Sequence, residues 1–227
     1  MGVFDIHADL SSRVSIDTEA LDWQPSPSRS VWRKRLYLDG EAEAGRVTSI
    51  VRYDPGSSFH AHDHPDGEEI LVLDGVFSDE HGDWPKGTYL LNPEGFRHRP
   101  FSKDGCLLFV RLRQYPGTDR THVVVGIDDA SWQSDRAAGV ATLTLYAEER
   151  YPDTVQVARW GAGAKPGGIS YPDGVEIFVI EGSFEDETER YARHHWLRLP
   201  AGSRHEPFTV EGCTLFVKSR LACAPLA

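Results

Sequence analysis

Short runs of Val, Ile, Leu, Phe and Tyr recur at close spacing along the chain, and each ends at a cluster of Gly, Pro, Asp or Ser. They are Val47–Tyr53, Glu69–Leu73, Tyr89–Leu91, Leu107–Leu112, Thr142–Tyr146, Val155–Trp160, Glu176–Ile180, Trp196–Leu199 and Thr214–Lys218. Runs of this length with such boundaries read as strands joined by turns. No segment sustains the 3.6-residue apolar period of an amphipathic helix. With 21 Gly and 14 Pro in 227 residues, the pattern predicts an all-β sandwich or barrel with little helix.

The pattern also repeats. A shift of 107 residues, without a gap, aligns Gly56 with Gly163, the PDG at 65–67 with the PDG at 172–174, and Gly75 with Gly182. Residues 92–110 match 199–217 at 11 of 19 positions, where average composition gives about one by chance. Two related β-domains follow. The chain divides as an N-terminal arm with first strands (1–45), a first domain core (46–116) and a second domain (117–227). Gln24–Ser28 reads as an irregular arm, and Tyr115-Pro116-Gly117-Thr118 as the linker.

Composition narrows the function classes. Lys and Arg total 24 against 35 Asp and Glu, a formal net charge of −11 with no concentrated basic stretch. That argues against binding to nucleic acid or to an anionic membrane surface. Cys106, Cys213 and Cys223 are isolated, so neither a disulfide framework nor a thiolate zinc module is legible, and a reducing cytoplasm suits them. The opening MGVFDIHADL carries acids where a secretory signal needs a basic then apolar run, and no apolar stretch nears 18 residues. A soluble cytoplasmic protein is expected.

The candidate chemistry sits in the first half, as Gly56-x5-His62-x-His64-x3-Glu68-x6-Gly75 followed by Gly87-x5-Pro93-x-Gly95-x2-His98. On a strand, residues i and i+2 share a face, so His62 and His64 can aim at one point. The turn at Pro65–Gly67 then brings Glu68 in beside them, and His98 closes the group from a second segment. Three imidazole nitrogens and a carboxylate suit a divalent metal, Zn or Fe(II) first, with Mn and Ni also compatible. The repeat supplies a control: His62, His64 and Glu68 become Ile169, Tyr171 and Val175, while Glu69 and His98 persist as Glu176 and His205. Glu68 is therefore the expected ligand, Glu69 a structural hydrogen-bonding or ion-pairing group, and His205 a non-ligand. One metal per chain is expected, in the first half alone.

Around that centre, candidates for contact with a bound small molecule are His60, which shares parity with His62 and His64, and Arg97, which flanks His98 and suits a carboxylate. The expected inner-facing residues Ile70, Val72 and Phe109 complete the set. Cys106 and Cys213 lead into apolar strands and read as small buried residues; the His194-His195 pair reads as surface or strand edge.

The two spacings resemble the two motifs of the cupin superfamily, with Ser102 where the second motif often has Asn. The stretches GEEILVLDG (67–75), FSDE (77–80) and Pro100 to Cys106 are similar to the ChrR-type cupin, the sensing half of a zinc-binding anti-sigma factor. The resemblance implies two tandem RmlC-like jelly-roll barrels and places His62, His64, Glu68 and His98 at the family's four metal positions. ChrR proteins carry an N-terminal zinc domain with a His-x3-Cys-x2-Cys pattern, and residues 1–45 contain no cysteine. The resemblance thus implies fold and metal site rather than a sigma-factor partner. Three functions stand open: a metal-bearing sensor or regulator of a small molecule or oxidant, a mononuclear non-haem Fe(II) dioxygenase of an apolar diketone-like substrate, and a metal-dependent isomerase or lyase. In an enzyme, Glu68 would serve as general base; no other catalytic residue is assigned. Exposed strand edges predict a homodimer.

Overall fold

A computed structural model describes residues 5–136 and 138–220; Cys223 lies outside them. The described residues are nearly all strand and turn, apart from one short 3-10 turn at Thr18–Ala20. None of their helices is long and apolar enough to cross a membrane.

The chain forms two compact units. The first comprises Leu21–Asp128 with the segment ending at Ala8, and the second comprises Asp9–Ala20 with Asp129 onward. This division differs from a linear one at two places. Strand Val123–Gly126 pairs with Thr88–Asn92, so the chain leaves the first unit beyond Pro116 and Gly117. Strand Val14–Asp17 pairs with His195–Leu199 and belongs to the second. Gln24–Pro25, read as irregular, is a two-residue strand paired with Trp32 and Arg33.

The 107-residue repeat is a repeat of structure. Strand Cys106–Leu112 returns as Cys213–Ser219, Thr88–Asn92 as His195–Leu199, and Glu68–Asp79 as Val175–Glu185. Even the bulge is kept. Leu73 is the unpaired residue opposite Leu107 and Leu108, and Ile180 is unpaired opposite Thr214 and Leu215.

In the first unit the sheet runs Val123–Gly126, Thr88–Asn92, Glu68–Asp79, Cys106–Leu112, Arg46–Tyr53, Val31–Asp39, Gln24–Pro25. Its inner face is set by alternation: Ile70 pairs with Val110 and Val72 with Leu108, and all four lie in one apolar cluster. A straight strand of 12 residues would span about 36 Å, yet both ends of Glu68–Asp79 contact the ring of His98. The bend comes at the bulge and at Gly75, whose φ is +72° and whose absent Cβ would lie 2.2 Å from the Gly105 carbonyl oxygen. Only glycine fits there.

Candidate metal centre

Strand His62–Asp63 pairs with Arg97–His98, placing His62 directly opposite His98. His64 follows at the start of the turn, where Asp66 and Gly67 both take left-handed backbone (φ 54° and 73°) and return the chain to the sheet at Glu68. The rings of His62 and His64 lie 4.7 Å apart, those of His62 and His98 5.4 Å, and those of His64 and His98 4.8 Å. One ring nitrogen of each falls within 4.8 Å of the others, and no second such cluster of His, Cys, Asp or Glu occurs among the described residues.

Second partners fix which nitrogens face inward. The Nδ1 of His62 meets the carbonyl of His60 at 2.8 Å, and a carbonyl only accepts, so Nδ1 carries the hydrogen. His98 Nδ1 lies 3.0 Å from Asp79 Oδ2. Both residues therefore turn a bare Nε2 toward the cluster, an arrangement common to metal-bound histidines. His64 Nε2 stands 2.9 Å from His98 Nε2, and Glu68 Oε2 stands 3.3 Å from the first and 3.5 Å from the second. Neighbouring donors each about 2.1 Å from one ion sit about 3.0 to 3.4 Å apart. The three-histidine cluster fits a divalent metal.

The two buried rings shift in opposite directions. Burial pushes the pKa of His64 down, and His98 and His62 beside it add to that against the opposing pull of Glu68, which keeps the ring neutral. Burial also disfavours charge on His98, but the hydrogen bond to Asp79 and the charge of Glu68 outweigh it and raise its pKa.

Alternation separates the two adjacent glutamates. Glu68 faces the cluster and accepts from Asn92 Nδ2 at 2.9 Å. Glu69 faces the other way, where it ion-pairs with fully buried Arg111 and accepts from the Tyr89 hydroxyl at 2.9 Å.

The cluster opens into a cavity of about 670 Å³. Ile70 and the exposed His60 line it, as do Tyr53, Phe77, Leu108 and Val110. Three expected contacts fall elsewhere. Phe109 pairs with Leu71 and Ile50 on the opposite face of the sheet and lies under the Arg111 guanidinium, because Leu108 and Val110 take the inward parity. Val72 points inward but packs within the apolar core, away from the cavity lining. Arg97 is turned to solvent and pairs with Asp63 at 2.8 Å, as strand neighbours on an exposed ribbon do.

Asp79 and Asn92 carry signals not used in the sequence reading. Asp79 recurs as Asp186 together with the recurring histidine, and Asn92 is replaced by Leu199 where Glu68 is replaced by Val175. The cross-strand pair Glu68 and Asn92 thus becomes the apolar pair Val175 and Leu199. In the second unit Ile169, Tyr171, Val175, Ile177 and Leu199 belong to the apolar core. His205 meets the Tyr171 hydroxyl at 3.0 Å and Asp186 at 3.5 Å. His194, expected at a surface or strand edge, precedes strand His195–Leu199 and is buried: the segment 9–20 covers it, and its Nδ1 meets Glu19 at 2.7 Å. Cys106 and Cys213 are buried free thiols whose pKa values burial pushes up to about 11 and about 12.

The family model of the ChrR cupin-like domain matches residues 11–116 and again 120–222. The chain belongs to the ChrR cupin-like family. Each unit is one cupin jelly roll, and the three-histidine cluster lies in the first. No curated protein matches the sequence. Among solved structures, a candidate dioxygenase from Nostoc punctiforme is 15% identical with a TM-score of 0.77, covering 96% of this chain and 87% of that one. An oxalate decarboxylase from Lactobacillus farciminis, as its formate complex, is 10% identical with a TM-score of 0.66, covering 98% and 90%. The pirin YhhW from Escherichia coli, in complex with nickel(II), is 11% identical with a TM-score of 0.69, covering 93% and 100%. At these identities the likeness is one of fold.

Proposed function

We propose that this ChrR-like bicupin binds one divalent metal, Zn(II) or Fe(II), on His62, His64, His98 and Glu68, and that a small molecule or oxidant reaching the ion through the adjoining chamber is what the protein senses. The observation that carries this reading is the convergence of His64 Nε2, His98 Nε2 and the Glu68 carboxylate, 2.9 to 3.5 Å apart, with a ring nitrogen of His62 within 4.8 Å of the other two histidines, beside a cavity of about 670 Å³. A centre serving stability alone needs no such chamber.

When bound, the ion supplies a Lewis acid for an oxygen-bearing ligand. The chain's own groups do the rest. Asp79 holds His98 in the tautomer that presents Nε2. Asn92 orients Glu68, whose charge offsets part of the cation's in a site otherwise made of neutral rings. Phe77, Leu108 and Val110 exclude water from the inner wall. The nickel(II) of the pirin and the formate of the decarboxylase are consistent with metal and small-ligand binding on this fold.

The same apolar lining favours a second reading, a non-haem Fe(II) dioxygenase acting on an apolar diketone-like substrate; the Nostoc structure is named as a dioxygenase, with no substrate. Loading the chain with Fe(II) and following both metal content and oxygen uptake with diketones and flavonols tests the two. Ligand-dependent change in the metal's spectrum without oxygen uptake supports sensing; sustained uptake supports the dioxygenase. Failure to retain any divalent metal refutes both.

A further inference from the structure

The mouth of the chamber differs in character from its wall. In strand Val31–Asp39, Val31, Arg33 and Arg35 lie opposite Tyr53, Val51 and Ser49, so both arginines share the inward parity of these cavity-lining residues. Arg29 and Arg113 line the same cavity as Arg33. Three carboxylates, Glu43, Asp63 and Glu68, line it too, and the one that meets both Arg33 and Arg35 is Glu43. It takes Arg33 on both oxygens and Arg35 Nη2 at 3.1 Å. Asp63 is engaged by Arg97, and Glu68 by Asn92 and the histidines.

At Glu43 two guanidinium groups share one carboxylate, a local positive excess in a protein whose net charge is −11. The two inner arginines are largely enclosed, with side chains 17% and 11% exposed. The Nε atoms of Arg33 and Arg35 are buried with no hydrogen-bond partner. Burial, and then the neighbouring charge of Arg33, lower the pKa of Arg35 against the opposing pull of Glu43, so the pair needs an anion at the place Glu43 occupies. Glu43 itself is half exposed, on the turn between two strands. Its carboxylate occupies the position that a ligand carboxylate would take.

We infer that the chamber takes a carboxylate with an apolar body, its anionic end displacing Glu43 from Arg33 and Arg35 and its apolar body lying along Val51, Leu108 and Val110 toward the metal. Planar guanidinium groups suit a carboxylate through paired N–H donors. This deepens the preceding reading of the chamber as a ligand site, and the arginine end can be examined with the ion removed.

The experiment is calorimetric titration of the full chain, metal-stripped and zinc-loaded, with 2-naphthoate and its neutral counterpart 2-naphthamide. In the stripped protein, 2-naphthoate is expected to bind about tenfold more tightly than the amide. Arg33→Met is expected to abolish that preference. Glu43→Gln, which removes the competing carboxylate and leaves the fold's apolar contacts intact, is expected to tighten 2-naphthoate by about threefold and leave the amide unchanged. A preference present only in the zinc-loaded protein puts the carboxylate on the ion and overturns the arginine subsite while the metal reading stands. Equal affinity, absence of binding by either compound, or no effect of Glu43→Gln also overturns it. A preference that persists in a chain unable to retain zinc supports the subsite and removes the metal reading.

Discussion

His98 Nδ1 lies 3.0 Å from Asp79 Oδ2, with both side chains almost wholly out of solvent. The pair spans the bend of strand Glu68–Asp79, so one imidazole is oriented by the far end of the strand whose near end carries Glu68. Asp79→Asn removes the charged acceptor and frees the ring to rotate or change tautomer. Metal affinity should fall about 10- to 100-fold, read by competition with a chelator; unchanged affinity would show that His98 is held by packing alone.

Glu68→Gln and Glu69→Gln should separate metal binding from stability. The first keeps its shape beside Asn92 but removes the negative charge facing His64 and His98, so metal content should fall while the apo fold persists. The second removes the charge that pairs with Arg111, whose side chain has no exposed surface, at a cost of about 3 kcal/mol. Denaturant unfolding and metal analysis of both variants check this. Retained metal in Glu68→Gln together with lost metal in Glu69→Gln would reverse the assignment.

Gly75→Ala should damage both fold and site. Its Cβ would fall 2.2 Å from a backbone oxygen, and the left-handed backbone at φ +72° is strained for alanine. A loss of about 2 kcal/mol or more is expected by urea unfolding. Gly182→Ala, whose Cβ would lie 2.1 Å from Gly212 O, should cost a similar amount without changing metal content.

Asp186 provides a pH-dependent prediction in the second unit. Burial raises its pKa, but the N–H of Thr188, the Tyr191 hydroxyl, the N–H of Glu189 and Arg13 together more than reverse this, leaving it below the usual carboxylate range. A depressed folded-state pKa contributes stability above the unfolded value of about 3.9, and that contribution is lost as pH falls through the folded value. Asp186→Asn should therefore be less stable than the natural chain at pH 7, with the gap narrowing below about pH 4. A gap that widens on acidification would contradict the direction of the shift.

The site was legible in sequence where residues were lost as a set. His62, His64 and Glu68 vanish together one repeat later, and their spacing gives a common face without any knowledge of the bend. The repeat favours Glu68 over Glu69 because Glu69 keeps an acidic counterpart, and in the fold Glu68 is the one that lies beside the histidines. Parity failed in Cys106–Leu112, where an apolar residue stands at nearly every position and nothing in composition marks Phe109 as outward. Strand Val31–Asp39 escaped recognition because Arg33, Lys34 and Arg35 interrupt its apolar pattern. In the fold Lys34 is buried on the outward face over the Trp23 ring, while its two neighbours turn inward. The transfer of residues 9–20 to the second unit depends on pairing across nearly the whole chain, which no local pattern encodes.

Metal stoichiometry after stripping and reloading with Zn(II) or Fe(II) bears most directly on the first barrel's centre. One equivalent per chain is expected, falling toward zero in His64→Ala and unchanged in His205→Ala. Two equivalents, none, or loss of the single equivalent in His205→Ala would contradict it.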